Sequence, residues 1–182
     1  MPPIQTLVLT GDSYRLGQAH GRAWSAEIQA LTEERLRLSR DGFWAGSARV
    51  TVDLAGLTAA CWDAQQSYAP LPPAEITGMS AATGVPAADL MVTSGFTDFV
   101  DAVRAASTEP DRRTDEQPGQ CTALLVSAQA ATDSKPYLAQ TWDMHSSATP
   151  YVRMLDLRPN DQPASLVFTV AGCVGMVGLN AH

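Results

Sequence analysis

Cys121 stands directly after a polar, proline-bearing stretch (STEPDRRTDEQPGQ, residues 107–120) and directly before an apolar run, TALLVSA. A cysteine in this position changes character if the bond between Gln120 and Cys121 is cut. It then carries a thiol and a free α-amine on one residue. The ordinary pKa values of about 8.5 for a thiol and about 7.7–8.0 for an α-amine allow the two to exchange a proton near neutrality. A terminal amine serving as base for its own side-chain nucleophile is a known mode of activation. Such a thiolate attacks acyl carbons and forms a thioester. Position alone also fits a small apolar packing residue at a strand edge.

Each of the other candidates also has a packing or turn role open to it. Asp143, in QTWDMH, follows Trp142 at the end of a β-like run and can accept a hydrogen bond from an amine; the alternative is a turn-capping aspartate. His145 could pair with a thiol as in a cysteine protease, but its place in a loop fits a solvent-facing histidine. His20 lies four residues from both Leu16 and Trp24, on an apolar helical stripe, which fits a core histidine. Asn180, in VGMVGLNAH, offers an amide donor to an oxyanion, and otherwise reads as a turn residue. Cys61 and Cys173 sit in apolar surroundings and read as packing residues. Gly172, Gly175 and Gly178 do not make a phosphate loop, because no lysine and no helix signal follows them.

The elements that must hold these residues fall into two textures. The first is helical. Ile4 to Thr10 is a short β-like run ending at Gly11, and Asp12 or Ser13 can cap one long helix carrying Leu16, Trp24, Ile28, Leu31 and Leu38 on one stripe. A second helix is predicted over 52–68, with Leu54, Leu57, Cys61 and Tyr68 inward and the prolines at 70, 72 and 73 ending it. Two shorter helices are predicted from about Pro73 to Ala82, closed by Gly84, and from Pro86 to Thr93. After the polar stretch, TALLVSA, PYLAQTW, PYVRMLDL and ASLVFTVAG are rich in β-branched and aromatic residues. They are separated by turn-like TDSK and PNDQ, which predicts an antiparallel meander. Helices first and strands later indicate an α+β chain, divided into a helical part at 1–106, a processing loop at 107–120 and a β part at 121–182.

Composition narrows the function classes. The chain has 182 residues, 45% of them hydrophobic and 17% charged, with a net charge of −7. This is globular composition, and it lacks the basic surface that a phosphate backbone demands, so nucleic-acid binding is not expected. No apolar run reaches the roughly 18 residues of a membrane helix, and the first residues lack the basic start of a signal peptide, so the expected location is cytoplasmic. Three scattered cysteines and three scattered histidines suggest neither a disulfide framework nor a metal site, and no cofactor is expected.

Taken in order, GDSYRLGQAHGRAW, PPAEITGMSAATGVPAADLM, PGQCTALLV, AQTWDMH and GCVGMVGLNAH resemble the acyl-coenzyme A:6-aminopenicillanic acid acyltransferase family, the C45 peptidases among the N-terminal nucleophile hydrolases. The resemblance runs through the whole chain. It implies a four-layer αββα sandwich, of which these 182 residues would be the N-terminal part, and a zymogen that cleaves itself between Gln120 and Cys121. On the same grounds Cys121 would be the nucleophile, Asp143 the residue that orients the new amine, and Asn180 the family's Gly-x-Asn position. Thr122, Trp142, Tyr14 and His20 would support the site. The substrate would be a small acylated amide, with an acyl-coenzyme A as one acyl donor, and hydrolysis or acyl transfer as the outcome. An oligomer, or a second polypeptide completing the sandwich, would be the partner, and a non-catalytic or split-enzyme subunit is the alternative to catalysis. Relatives commonly carry Gly immediately before the cysteine; here Gly119 is one place earlier.

Overall fold

The computed structural model describes residues 3–42, 52–107 and 121–180; Gln120 and nearly all of the predicted processing loop lie outside this set. The chain is α+β. Strand β1 (Gln5–Gly11) leads to Asp12, whose carboxylate accepts the Arg15 N–H at 2.8 Å and caps α1 (Ser13–Ala23). The single long helix predicted from Asp12 onward is two helices. Trp24 has φ −136° and ends α1 while beginning α2 (Ser25–Asp41). Its indole is committed sideways: Nε1 donates to Gln5 Oε1 at 3.1 Å, the ring meets His20 edge-on, and the Arg153 guanidinium lies over it at 5.2 Å. A residue anchored to the sheet in this way leaves helical backbone angles.

Helix α3 (Leu54–Tyr68) begins at its Asp53 cap. Tyr68, predicted on the buried stripe, is 92% exposed, because it falls on the last turn beyond the reach of the core. Helix α4 (Leu71–Thr83) starts slightly earlier than expected, with prolines in its first turn, and Gly84 closes it in the left-handed conformation. Helix α5 (Ala87–Ser94) is followed by an unanticipated α6 (Phe96–Ala106). Its buried Phe96, Phe99, Val100 and Val103 share one face at helical spacing. Helices α1 and α4 press together backbone to backbone. A methyl on Gly17 would overlap the Glu75 carbonyl, and one on Gly78 would overlap that of Tyr14.

The predicted meander is replaced by two sheets. Strands β2 (Ala123–Val126) and β3 (Tyr137–Gln140) form an antiparallel hairpin of their own. Residues 141–151, which include a 3-10 turn at Ser146–Tyr151 with Pro150 inside it, carry the chain to a different sheet rather than turning it back. That sheet has the order β1-β4-β5-β6, with β4 (Val152–Pro159) parallel to β1 and antiparallel to β5 (Ser165–Val170), and with β6 (Val177–Asn180) at the edge. Strand β6 was not foreseen; its Gly-rich sequence has weak strand character.

Alternation gives the four-stranded sheet two faces. Leu7, Leu9, Leu155, Leu157 and Val167 pack against the helices, in one core with Ile28, Ile76, Met79, Leu90 and Phe99. Met154, Leu166, Phe168, Val177 and Leu179 face the other way, toward the hairpin. Among the described residues the layers are therefore helices, sheet and hairpin. No helix among them is long and apolar enough to cross a membrane.

Candidate active site

The hairpin brings four of the residues singled out in the sequence to one end. Its register pairs Ala123 with Gln140, and the pairing runs one step beyond the ladder. Thr141 N–H donates to the Thr122 carbonyl at 2.9 Å, and Thr122 N–H donates to Thr141 Oγ1 at 2.9 Å. Cys121 immediately precedes this pair on one side of the hairpin, and Trp142 and Asp143 follow it on the other. Cys121 and Asp143 are exposed and Trp142 is half-buried.

Cys121 precedes β2 and is not among the residues that line the neighbouring cleft; alternation puts Leu138, Gln140 and Trp142 on one face of the hairpin. Those three residues form one wall of a cleft of about 350 Å³, and Met154, Leu166, Phe168, Val177 and Leu179 form the other. Trp142 meets Phe168 edge-on, with ring centroids 5.9 Å apart, which ties the two walls together. Gln140 is the one hydrogen-bonding side chain of the lining besides the Trp142 indole. The cleft thus suits an apolar group with a single polar anchor.

The three cysteines differ sharply. Cys173 is fully buried, its thiol donates to the Thr93 carbonyl at 3.2 Å, and burial pushes its pKa up to about 12. It remains a thiol. Cys61 is half-buried against the core. Cys121 alone is exposed, which a nucleophile for external substrates requires.

The remaining candidates lie elsewhere. Asn180 pairs with Ser165 at the end of β6; alternation from Leu179 puts it on the sheet face away from the cleft, so the structure does not join it to Cys121. Tyr14 belongs to the α1–α4 contact through its carbonyl beside Gly78. His20 is completely buried, and its Nε2 accepts the Gly172 N–H at 3.2 Å. Burial, with the Arg153 charge adding to it, lowers its pKa to about 4, so it is a neutral core residue. His145 caps the 3-10 turn, with Nδ1 2.9 Å from Ser147 Oγ. Among the described residues no group of three His, Cys, Asp or Glu side chains is placed to hold a metal ion.

The sequence reading overlooked Thr141 and the cleft lining. The signal for the lining was available in the alternation of Leu138, Gln140 and Trp142, and of Leu166 and Phe168. Thr141 gave no signal, because its bonds to Thr122 depend on the register. No family model and no curated protein matches the chain.

Proposed function

We propose that the chain is a cysteine acyltransferase or amide hydrolase of the N-terminal nucleophile kind, built on an αββα sandwich and acting through Cys121. The observation that carries this reading is the register of the hairpin. It sets an exposed cysteine at the same end of the hairpin as Trp142 and Asp143, and Trp142 belongs to the wall of an apolar cleft. The ordered sequence motifs add to it.

In the activating step, the Cys121 sulfur attacks the Gln120 carbonyl carbon. The S–C bond forms, the C–N bond breaks and the nitrogen takes up a proton. Water then cleaves the thioester and leaves a carboxylate on Gln120, with a free thiol and a free amine on Cys121. In turnover, the amine takes the thiol proton as sulfur attacks a substrate amide carbon. The leaving amine departs with a proton, and water or another amine takes the acyl group from sulfur. Asp143 holds the α-amine in orientation, and the acyl chain occupies the cleft. Intact-mass analysis tests this. The protein should yield fragments 1–120 and 121–182 and a covalent acyl adduct on the latter, and Cys121→Ala should yield neither. A single uncleaved chain with an inert Cys121 would overturn the proposal.

A second reading has its own observation. Leu124 is 59% and Leu125 76% exposed although they point to opposite faces of β2, and a two-stranded hairpin is marginal alone. Coverage by a second polypeptide or a second copy would bury both. Sedimentation velocity decides: a monomer at micromolar concentration with a protected hairpin counts against it.

A further inference from the structure

The Thr122–Thr141 pair departs from an ordinary antiparallel ladder in one bond. Two residues paired in this way normally exchange both backbone hydrogen bonds. Here Thr141 N–H still reaches the Thr122 carbonyl, but the Thr122 N–H goes to the Thr141 side-chain oxygen. We infer that Thr141 is a positioning residue for the Cys121 nucleophile, holding the peptide that joins Cys121 to Thr122 through its hydroxyl. This rests on the proposed role of Cys121.

The chemical argument turns on what remains attached to Cys121 after cleavage. Before it, Cys121 is held by a peptide on each side. Afterwards only the 121–122 peptide is left, and the N–H of that peptide is the one Thr141 Oγ1 accepts. That peptide plane then places the Cys121 Cα, and only rotation about Cα–C and Cα–Cβ is left to direct the α-amine and the Sγ arm. A threonine is suited to fix that plane, because its β-branch leaves few side-chain rotamers. Its hydroxyl keeps a proton to donate elsewhere while it accepts. The strand partner on the other bond, Thr141 N–H to Thr122 C=O, pins the next peptide and leaves little freedom to twist. Orientation of this kind acts on the rate of attack rather than on substrate affinity.

The test uses the whole chain and p-nitrophenyl butyrate as the acyl probe. Burst release of p-nitrophenolate and the mass of the Cys121 adduct report acylation, and the appearance of fragment 121–182 reports self-cleavage. Thr141→Val keeps the shape and removes the acceptor, and should slow acylation roughly tenfold with KM little changed. Thr141→Ser keeps the acceptor and should restore the rate to within about threefold of the parent. Thr141→Ala, which cannot overpack, serves if the valine variant fails to fold. Amide hydrogen exchange at Thr122 should be slow in the parent and the serine variant and fast in the others. Equal acylation by the parent and Thr141→Val overturns the inference and leaves Cys121 as nucleophile. A parent no more reactive than its Cys121→Ala variant overturns the nucleophile itself, and the inference with it.

Discussion

His20 Nε2 accepts the backbone N–H of Gly172 at 3.2 Å, joining α1 to the turn that leaves β5. The same turn is gripped from α5, where Ser94 Oγ donates to the Gly172 carbonyl at 3.1 Å and the Cys173 thiol donates to that of Thr93. Gly172 has φ +93°, a conformation few side chains tolerate. The histidine can make this bond only while Nε2 is unprotonated. Its pKa is about 4 in the folded chain against an ordinary 6.5, so the unfolded chain takes up the proton first. The stabilising contribution is complete above pH 6.5 and is lost as pH falls toward 4, by about 3 kcal/mol in all. His20→Gln keeps an acceptor without titrating. Urea unfolding across this range should show a flatter acid limb in the variant.

Glu75 works in the opposite sense. It is buried in α4, its Oε1 has no hydrogen-bond partner among the described residues, and burial raises its pKa from 4.5 to about 7. The folded chain holds this proton more tightly than the unfolded one. The contribution is present below pH 4.5 and is lost as pH rises through 7, again by about 3 kcal/mol. Between pH 4.5 and 6.5 the two residues oppose each other, and the parent stability should change little on their account. Glu75→Gln should remove the falling limb, so that stability now rises with pH through this window. An unchanged pH profile would show that Glu75 is solvated.

Much of the helical layer was legible because its signals are local. Asp12 as a cap, Gly84 as a stop and the stripe of Leu16, Ile28, Leu31 and Leu38 all act within a few residues of chain. The break at Trp24 was not legible, since it depends on Gln5 and Arg153, which are distant in sequence. The parallel pairing of β1 with β4 was hidden for the same reason: Leu7 and Leu155 become neighbours only in the folded sheet. At the site, the place of Cys121 between a polar stretch and an apolar strand was readable from the sequence. The bonds between Thr122 and Thr141 follow from hairpin register, which alternation of apolar residues did not specify in a strand with Leu124 and Leu125 side by side.

The α1–α4 contact makes a sharp steric prediction. The Gly17 Cα lies so close to the Glu75 backbone that alanine would force the helices apart. Helix propensity alone would favour alanine at this buried helical position by up to about 1 kcal/mol. Overpacking costs more, about 1–3 kcal/mol, so Gly17→Ala should lower stability despite improving the helix. A rise in the thermal midpoint would show that the two helices can separate without loss.

The cleft makes a quantitative prediction about acyl chains. Its walls are Leu138, Trp142, Met154, Leu166, Phe168, Val177 and Leu179, so each methylene entering it leaves water for apolar surroundings. Full burial is worth about 0.8 kcal/mol per methylene, or about fourfold in kcat/KM. Acylation of Cys121 by p-nitrophenyl esters should therefore climb from acetyl to hexanoyl by about two- to fourfold per carbon. Leu166→Asp places a carboxylate on the wall without touching the hairpin end that carries Cys121. It should flatten the dependence on chain length while leaving acetyl transfer nearly unchanged. A parent whose rate is indifferent to chain length would place the acyl group in solvent rather than between the sheets.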